Sequence, residues 1–175
     1  MNEQEIRKIV EKAVEKLLTN EGKNSQTGKV AIGADHGGYE LKEAMREKLA
    51  AAGYTVFDMG THSKESVDYP DYAAKVARSV QKGEADKGIM IDTAGIGSAM
   101  AANKIKGIRA ALCYNEKTVL NSRLHNNANV LTLGAAYHTT DEAIKLALLW
   151  LKTPFEGGRH QRRIDKIMAL EKESL

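Results

Sequence analysis

The chain has 175 residues, 42% of them hydrophobic and 28% charged, the make-up of a globular protein with room for one full core. A net charge of +3 gives no field that argues for nucleic acid, and no apolar run reaches the length of a membrane span. A single cysteine, Cys113, excludes an intramolecular disulfide and a cysteine metal cluster; with no basic-then-apolar leader, the expected setting is the reducing cytoplasm.

Residues 1–18 place Ile6, Ile9, Val10, Ala13, Val14, Leu17 and Leu18 on one stripe, with charged residues on the other faces. This spacing predicts an amphipathic helix. Residues 19–28, "TNEGKNSQTG", lack periodicity and predict a flexible linker. So short a helix is marginal alone. Its stripe is expected to dock on its own domain, on an oligomer partner or on another protein.

From residue 29 to 175 the pattern is that of one domain. The runs "KVAIG", "YTVFD", "GIMID", "IRAAL" and "NVLTL" alternate with helical segments near 38–52, 71–82, 97–105, 115–125, 140–152 and 160–172. Strands apolar on both faces and separated by helices predict an α/β fold. The expected form is a Rossmann-like three-layer sandwich with a five-stranded parallel sheet. With strand order 2-1-3-4-5, the ligand crevice lies between the first and third strands. Those strands end in "GADHGG" and "IDTAGIG", so both loops are expected on one crevice.

In "GADHGG", Asp35 is either a helix cap or a ligand group, and His36 adds a titratable donor. There is no G-x-G-x-x-G and no G-K-[ST]; Asp58 at the end of the second strand mimics a ribose-binding acid only weakly without that fingerprint. "TAGIG" followed by "SAMAANK" offers N–H groups at a helix start, either for an oxyanion or merely as a tight turn. "SRLHNNANV" holds His125 and three asparagines, suited to hydroxyl recognition or to a helix C-cap. In "EGGRHQRR", Arg159 and Arg163 share a helix face, as a phosphate fork or a solvated basic helix would.

Five stretches occur in order across residues 29–167: "GADHGGYELKEAM", "VDYPDYA", "GIGSAMAANKIKGIRAALC", "RLHNNANVLTLG" and "FEGGRHQRRIDKI". This series resembles the ribose-5-phosphate isomerase B family, whose relatives include galactose-6-phosphate isomerase subunits. The resemblance implies aldose–ketose isomerisation of a sugar phosphate through an enediolate, without cofactor or metal. It also implies a homodimer or homotetramer with sites shared between subunits. Asp35 and His36 match the family's Asp-His pair at the sugar and phosphate, and Tyr69 the tyrosine of "DYP". His125 matches the ring-opening histidine, Asn126 a contact to sugar oxygens, and Arg159 and Arg163 the phosphate arginines. The loop from Gly95 through Gly97 to Ser98 matches the one whose N–H groups hold the enediolate.

Three positions depart from the family's usual pattern. Asp92 stands for the common cysteine base, Ala94 for a threonine and Ala136 for a phosphate-contacting arginine, with His138 as a candidate substitute. A carboxylate at Asp92 is expected to serve as the base at C2, as glutamates do in other sugar-phosphate isomerases. Residues 1–18 on their tether resemble the encapsulation peptides that carry enzymes into bacterial microcompartments. That likeness implies a shell or cargo protein as partner.

Overall fold

The computed structural model describes residues 28–172; the expectations for the helix at 1–18 and for nearly all of the linker lie outside the described residues. Five parallel strands form one sheet: β1 (Lys29–Ala34), β2 (Thr55–Asp58), β3 (Lys87–Asp92), β4 (Ala110–Leu112) and β5 (Val130–Gly134). The connecting helices are α1 (Tyr39–Ala51), α2 (Tyr69–Gln81), α3 (Ile96–Ala102), α4 (Glu116–Leu124) and α5 (Thr140–Lys152). α6 (Arg159–Leu170) closes the domain. Among the described residues no helix is long and apolar enough to cross a membrane.

The strand order is β2-β1-β3-β5-β4, which corrects the expected 2-1-3-4-5. The reason lies in the two strands themselves. All five residues of β5 are buried, whereas the three of β4 are only half-buried. The longer apolar strand takes the centre beside β3, and the short one takes the edge. The reversal point between β1 and β3 is unaffected, so the crevice remains where the sequence placed it.

Side chains alternate across the sheet and feed two cores. Val30, Ile32, Ile89, Ile91, Leu131 and Leu133 pack with α1, α4 and α5 around the fully buried Trp150. The other face packs Ala31, Met90 and Val130 against Ala73, Val76 and Ala77 of α2 and Ala102 of α3. The Trp150 indole N–H donates to Ser122 Oγ at 3.1 Å, which lets a polar group sit in that core.

β4 is an open edge, and the motif "AANK" covers it. The Asn103 amide accepts from the Ala110 N–H at 2.8 Å and donates to the Ala110 carbonyl at 2.9 Å, filling the place of a neighbouring strand. α3 accordingly ends at Ala102, before the expected 105.

Candidate active site

The carboxyl ends of β1 and β3 bring two acids together. Asp35 is buried, and its Oδ1 accepts the Gly38 N–H at 3.0 Å. Burial raises its carboxyl above the usual value of 3.8; the Gly38 N–H lowers it, and the negative charge of Asp92 raises it again. The turn is close-packed, since a Cβ on Gly38 would lie 2.4 Å from the Ile91 carbonyl oxygen. The His36 ring is exposed, with Nδ1 3.2 Å from the Val67 N and 3.3 Å from its carbonyl oxygen.

Asp92 ends β3, 4% exposed, and its carboxylate is fully engaged. Oδ1 accepts the N–H groups of Ala94, at 2.8 Å, and of Gly95; Oδ2 accepts the Ser98 N–H at 3.1 Å and the Ser98 hydroxyl. Four donors occupy the four lone-pair positions of a carboxylate. The loop that resembled an enediolate cradle therefore aims the N–H groups of Gly95 and Ser98 at the protein's own acid. Gly95 turns the chain with φ 79°, and a Cβ there would meet Leu112 at 2.5 Å. The N–H groups of Ile96 and Gly97, in the first turn of α3, have no intrahelical acceptor by position. Tyr69 covers Gly97 so closely that a Cβ would lie 2.5 Å from the phenol ring.

The segment after β5 reaches the same end. The Ala136 N–H donates to the Thr93 carbonyl at 3.1 Å, and the Tyr114 hydroxyl donates to the Ala94 carbonyl at 2.8 Å. The His138 ring lies 6.2 Å from the Tyr114 ring, and its buried Nε2 has no hydrogen-bond partner. Asp58 is committed elsewhere. Burial raises its carboxyl, but bonds from the buried Lys42 ammonium at 2.6 Å and the Gly60 N–H at 2.9 Å outweigh this and hold it below the usual value. It offers no free acid to a ribose.

The remaining expected residues lie at the other end of the sheet. His125 and Asn126 follow α4, just before β5 begins; Arg159 and Arg163 stand on the first turns of α6. The rings of His125 and His160 stack, centroids 4.2 Å apart and 4° from parallel. Burial, then the neighbouring His125 and Arg159, lower the His160 imidazole below its usual value. Glu156 Oε2 lies 3.4 Å from His125 Nε2 and 3.6 Å from His160 Nε2. The length of β5, roughly 13 Å at strand rise, separates this cluster from Asp92, which is paired with Gly134 at the far end of β5. One chain does not bring the two groups together.

The asparagine run divides its labour. Asn129 clamps the Arg109 N–H and the Gly107 carbonyl, and Asn127, at φ 43°, caps the helix and accepts the Arg109 guanidinium through its carbonyl. Asn126 stays exposed, its amide donating to Asn121. Sequence reasoning passed over Asn121, Tyr114 and Glu156. Two of them carried a signal: Asn121 with His125, and Glu156 with His160, are each four residues apart.

His125, Glu156 and His160 hold their candidate ligand atoms within 4.8 Å of one another. Both Nε2 atoms approach Glu156 Oε2, but the Arg159 guanidinium donates to His160 Nε2 at 3.4 Å, setting a fixed cation on one of the three donor atoms. The trio does not fit a closed metal cage. A groove of about 620 Å³ runs along the edge of β4 past Asn121, Asn126 and Ile167, away from both acids.

Comparison with known proteins places this arrangement. The sequence profile of the family described as Ribose/Galactose Isomerase matches residues 30–167. The chain is 43% identical to the ribose-5-phosphate isomerase B of Escherichia coli, covering 82% of this chain and 96% of that one. The solved ribose-5-phosphate isomerase B of Clostridium thermocellum is 49% identical with a TM-score of 0.83, over 84% of this chain and 99% of that one. The ribose-5-phosphate isomerase B of Mycoplasma genitalium, solved with bound ribulose-5-phosphate, is 47% identical with a TM-score of 0.80, over 83% and 97% of the two chains. A profile match across the whole sheet and identities above 40% over nearly all of each relative put the chain in the ribose/galactose isomerase family.

Proposed function

We propose that this protein interconverts an aldose phosphate and a ketose phosphate, ribose 5-phosphate and ribulose 5-phosphate first among them, through an enediolate. The observation that carries this reading is the M. genitalium relative, which holds ribulose-5-phosphate on the same fold. In support, two coupled acids and a loop of N–H donors meet at the β1–β3 crevice.

In this reading Asp92 removes the C2 proton. Its Oδ2 has one donor that can leave without moving backbone, the Ser98 hydroxyl. Turned toward a substrate oxygen, Ser98 frees a lone pair of Asp92 for C2 and becomes a donor to the enediolate, with Gly95 and Gly97 shaping the loop. Asp35, His36 and Tyr69 line the sugar, and His138, with an unpartnered nitrogen, stands in for the arginine absent at Ala136. A second reading gives the base role to Asp35, whose carboxyl is raised and less enclosed by donors.

The division of the site supports a homodimer. His125, Asn126, Arg159 and Arg163 serve the sugar ring and phosphate from the amino end of the sheet, and a second copy is the source that brings them to Asp92. Residues 1–18 direct the enzyme to a microcompartment shell or cargo protein by helix-in-groove binding. A coupled assay over pentose, tetrose and hexose phosphates tests the function: turnover greatest on a pentose phosphate is expected. Binding without turnover of any of them would leave only a sugar-phosphate binder.

A further inference from the structure

The amino-end cluster fixes the proton on its histidine. The Asn126 amide nitrogen donates to the Asn121 backbone carbonyl at 3.2 Å and to Asn121 Oδ1 at 3.0 Å, which settles Oδ1 as an acceptor. Asn121 Nδ2 is then the donor to His125 Nδ1, 3.0 Å away. A neutral His125 therefore carries its proton on Nε2, the nitrogen that looks toward Glu156. The stacked His160 ring holds the plane of His125, and the Glu156 N–H, bonded to the Leu124 carbonyl at 3.0 Å, ties the acid to the end of the same helix.

An acid and a base thus face each other. The gap of 3.4 Å is too long for a good hydrogen bond, and Glu156 is 57% exposed, so the pair is open to an incoming ligand. Opening a furanose ring needs both partners at once, because the ring oxygen must gain a proton as the anomeric hydroxyl loses one. Those two oxygens sit on a single carbon, which suits a donor and an acceptor set side by side.

We propose that Glu156 is a catalytic residue for ring opening, the base that takes the anomeric proton while His125 protonates the ring oxygen. The C1–O4 bond breaks with its electron pair going to O4, which receives the proton from His125 Nε2 and leaves the neutral imidazole as a transient imidazolate. The O1–H proton passes to the Glu156 carboxylate, and C1=O1 forms. Transfer of that proton from Glu156 to Nε2 restores the pair, so no outside oxidant, reductant or net proton is needed. This rests on the sugar-phosphate reading of the site. It adds a residue and a tautomer to that reading.

The test uses the full-length protein and its Glu156→Gln variant, an isosteric change at an exposed position. Exchange between the α and β anomers of ribose 5-phosphate, followed by NMR exchange spectroscopy, reports ring opening without isomerisation. Wild type is expected to accelerate that exchange, and the variant to lose at least tenfold of the acceleration. In parallel, kcat/KM should fall at least tenfold on ribose 5-phosphate and less than threefold on erythrose 4-phosphate, which cannot close a furanose ring. Anomer exchange unaltered in the variant, no acceleration by wild type, or equal losses on both substrates would each overturn the proposal. Anomer exchange without isomerisation by wild type would sink the isomerase function and leave the role of Glu156 standing.

Discussion

At the scale of single residues the question is which acid takes the C2 proton. Asp92→Asn is expected to lower kcat at least a hundredfold, and Asp35→Asn chiefly to raise KM, as expected of a group proposed to contact the sugar in ground and transition states alike. Steady-state kinetics of both variants decide it, and the reverse pattern would move the base to Asp35. Asp35 also makes a stability forecast. Its carboxyl is raised in the folded chain, so the charged form costs stability above the raised value. That cost fades as pH falls through the window between the raised value and 3.8, and is absent below it. Asp35→Asn should therefore raise the melting temperature at neutral pH, with the gain vanishing in acid. Calorimetry across that range would refute the sign if the gain grew at low pH.

At the scale of elements, the sheet edge gives the sharpest case. Asn103 supplies β4 with the hydrogen bonds of an absent neighbour. Asn103→Leu strips both from the Ala110 backbone and should cost about 1–3 kcal/mol in urea unfolding, with more aggregation on heating. Unchanged stability would mean that water serves that edge equally well. The same element shows how far local pattern reaches. β4 and β5 were both legible as strands, yet "IRAAL" and "NVLTL" look alike as short apolar runs. Which one lies inside depends on what α5 and α3 cover, and that is a property of packing.

The whole molecule carries the division of the site. If Asp92 works with the His125 of a second copy, co-expressed Asp92→Asn and His125→Ala chains should regain activity that neither has alone. Random pairing gives heterodimers as half of the dimers, each with one intact site, or about a quarter of wild-type activity. No recovery would place the working site within one chain. Removal of residues 1–27 should leave stability and turnover unchanged, while a fluorescent protein carrying only those residues should enter microcompartment shells. A truncated enzyme that loses activity, or a reporter that stays diffuse, would overturn the targeting role of that segment.

The alternation of apolar runs and helical segments determined an α/β sheet by itself, because burial on both faces leaves no other use for strands without polar positions. The placement of "GADHGG" and "IDTAGIG" at one crevice followed from the same pattern, since β1 and β3 adjoin in the order read from sequence and in the order observed. Tertiary structure decided the rest. Only three-dimensional proximity shows that Asp92 binds the loop it was expected to leave free, because hydrogen bonds from Ala94, Gly95 and Ser98 depend on the turn at Gly95. Likewise His125 and Asp92 are separated by the length of β5, an interval that motif order along the chain does not record. Spacing in sequence reports which residues share a helix face; which end of a sheet they reach depends on the direction of every crossover before them.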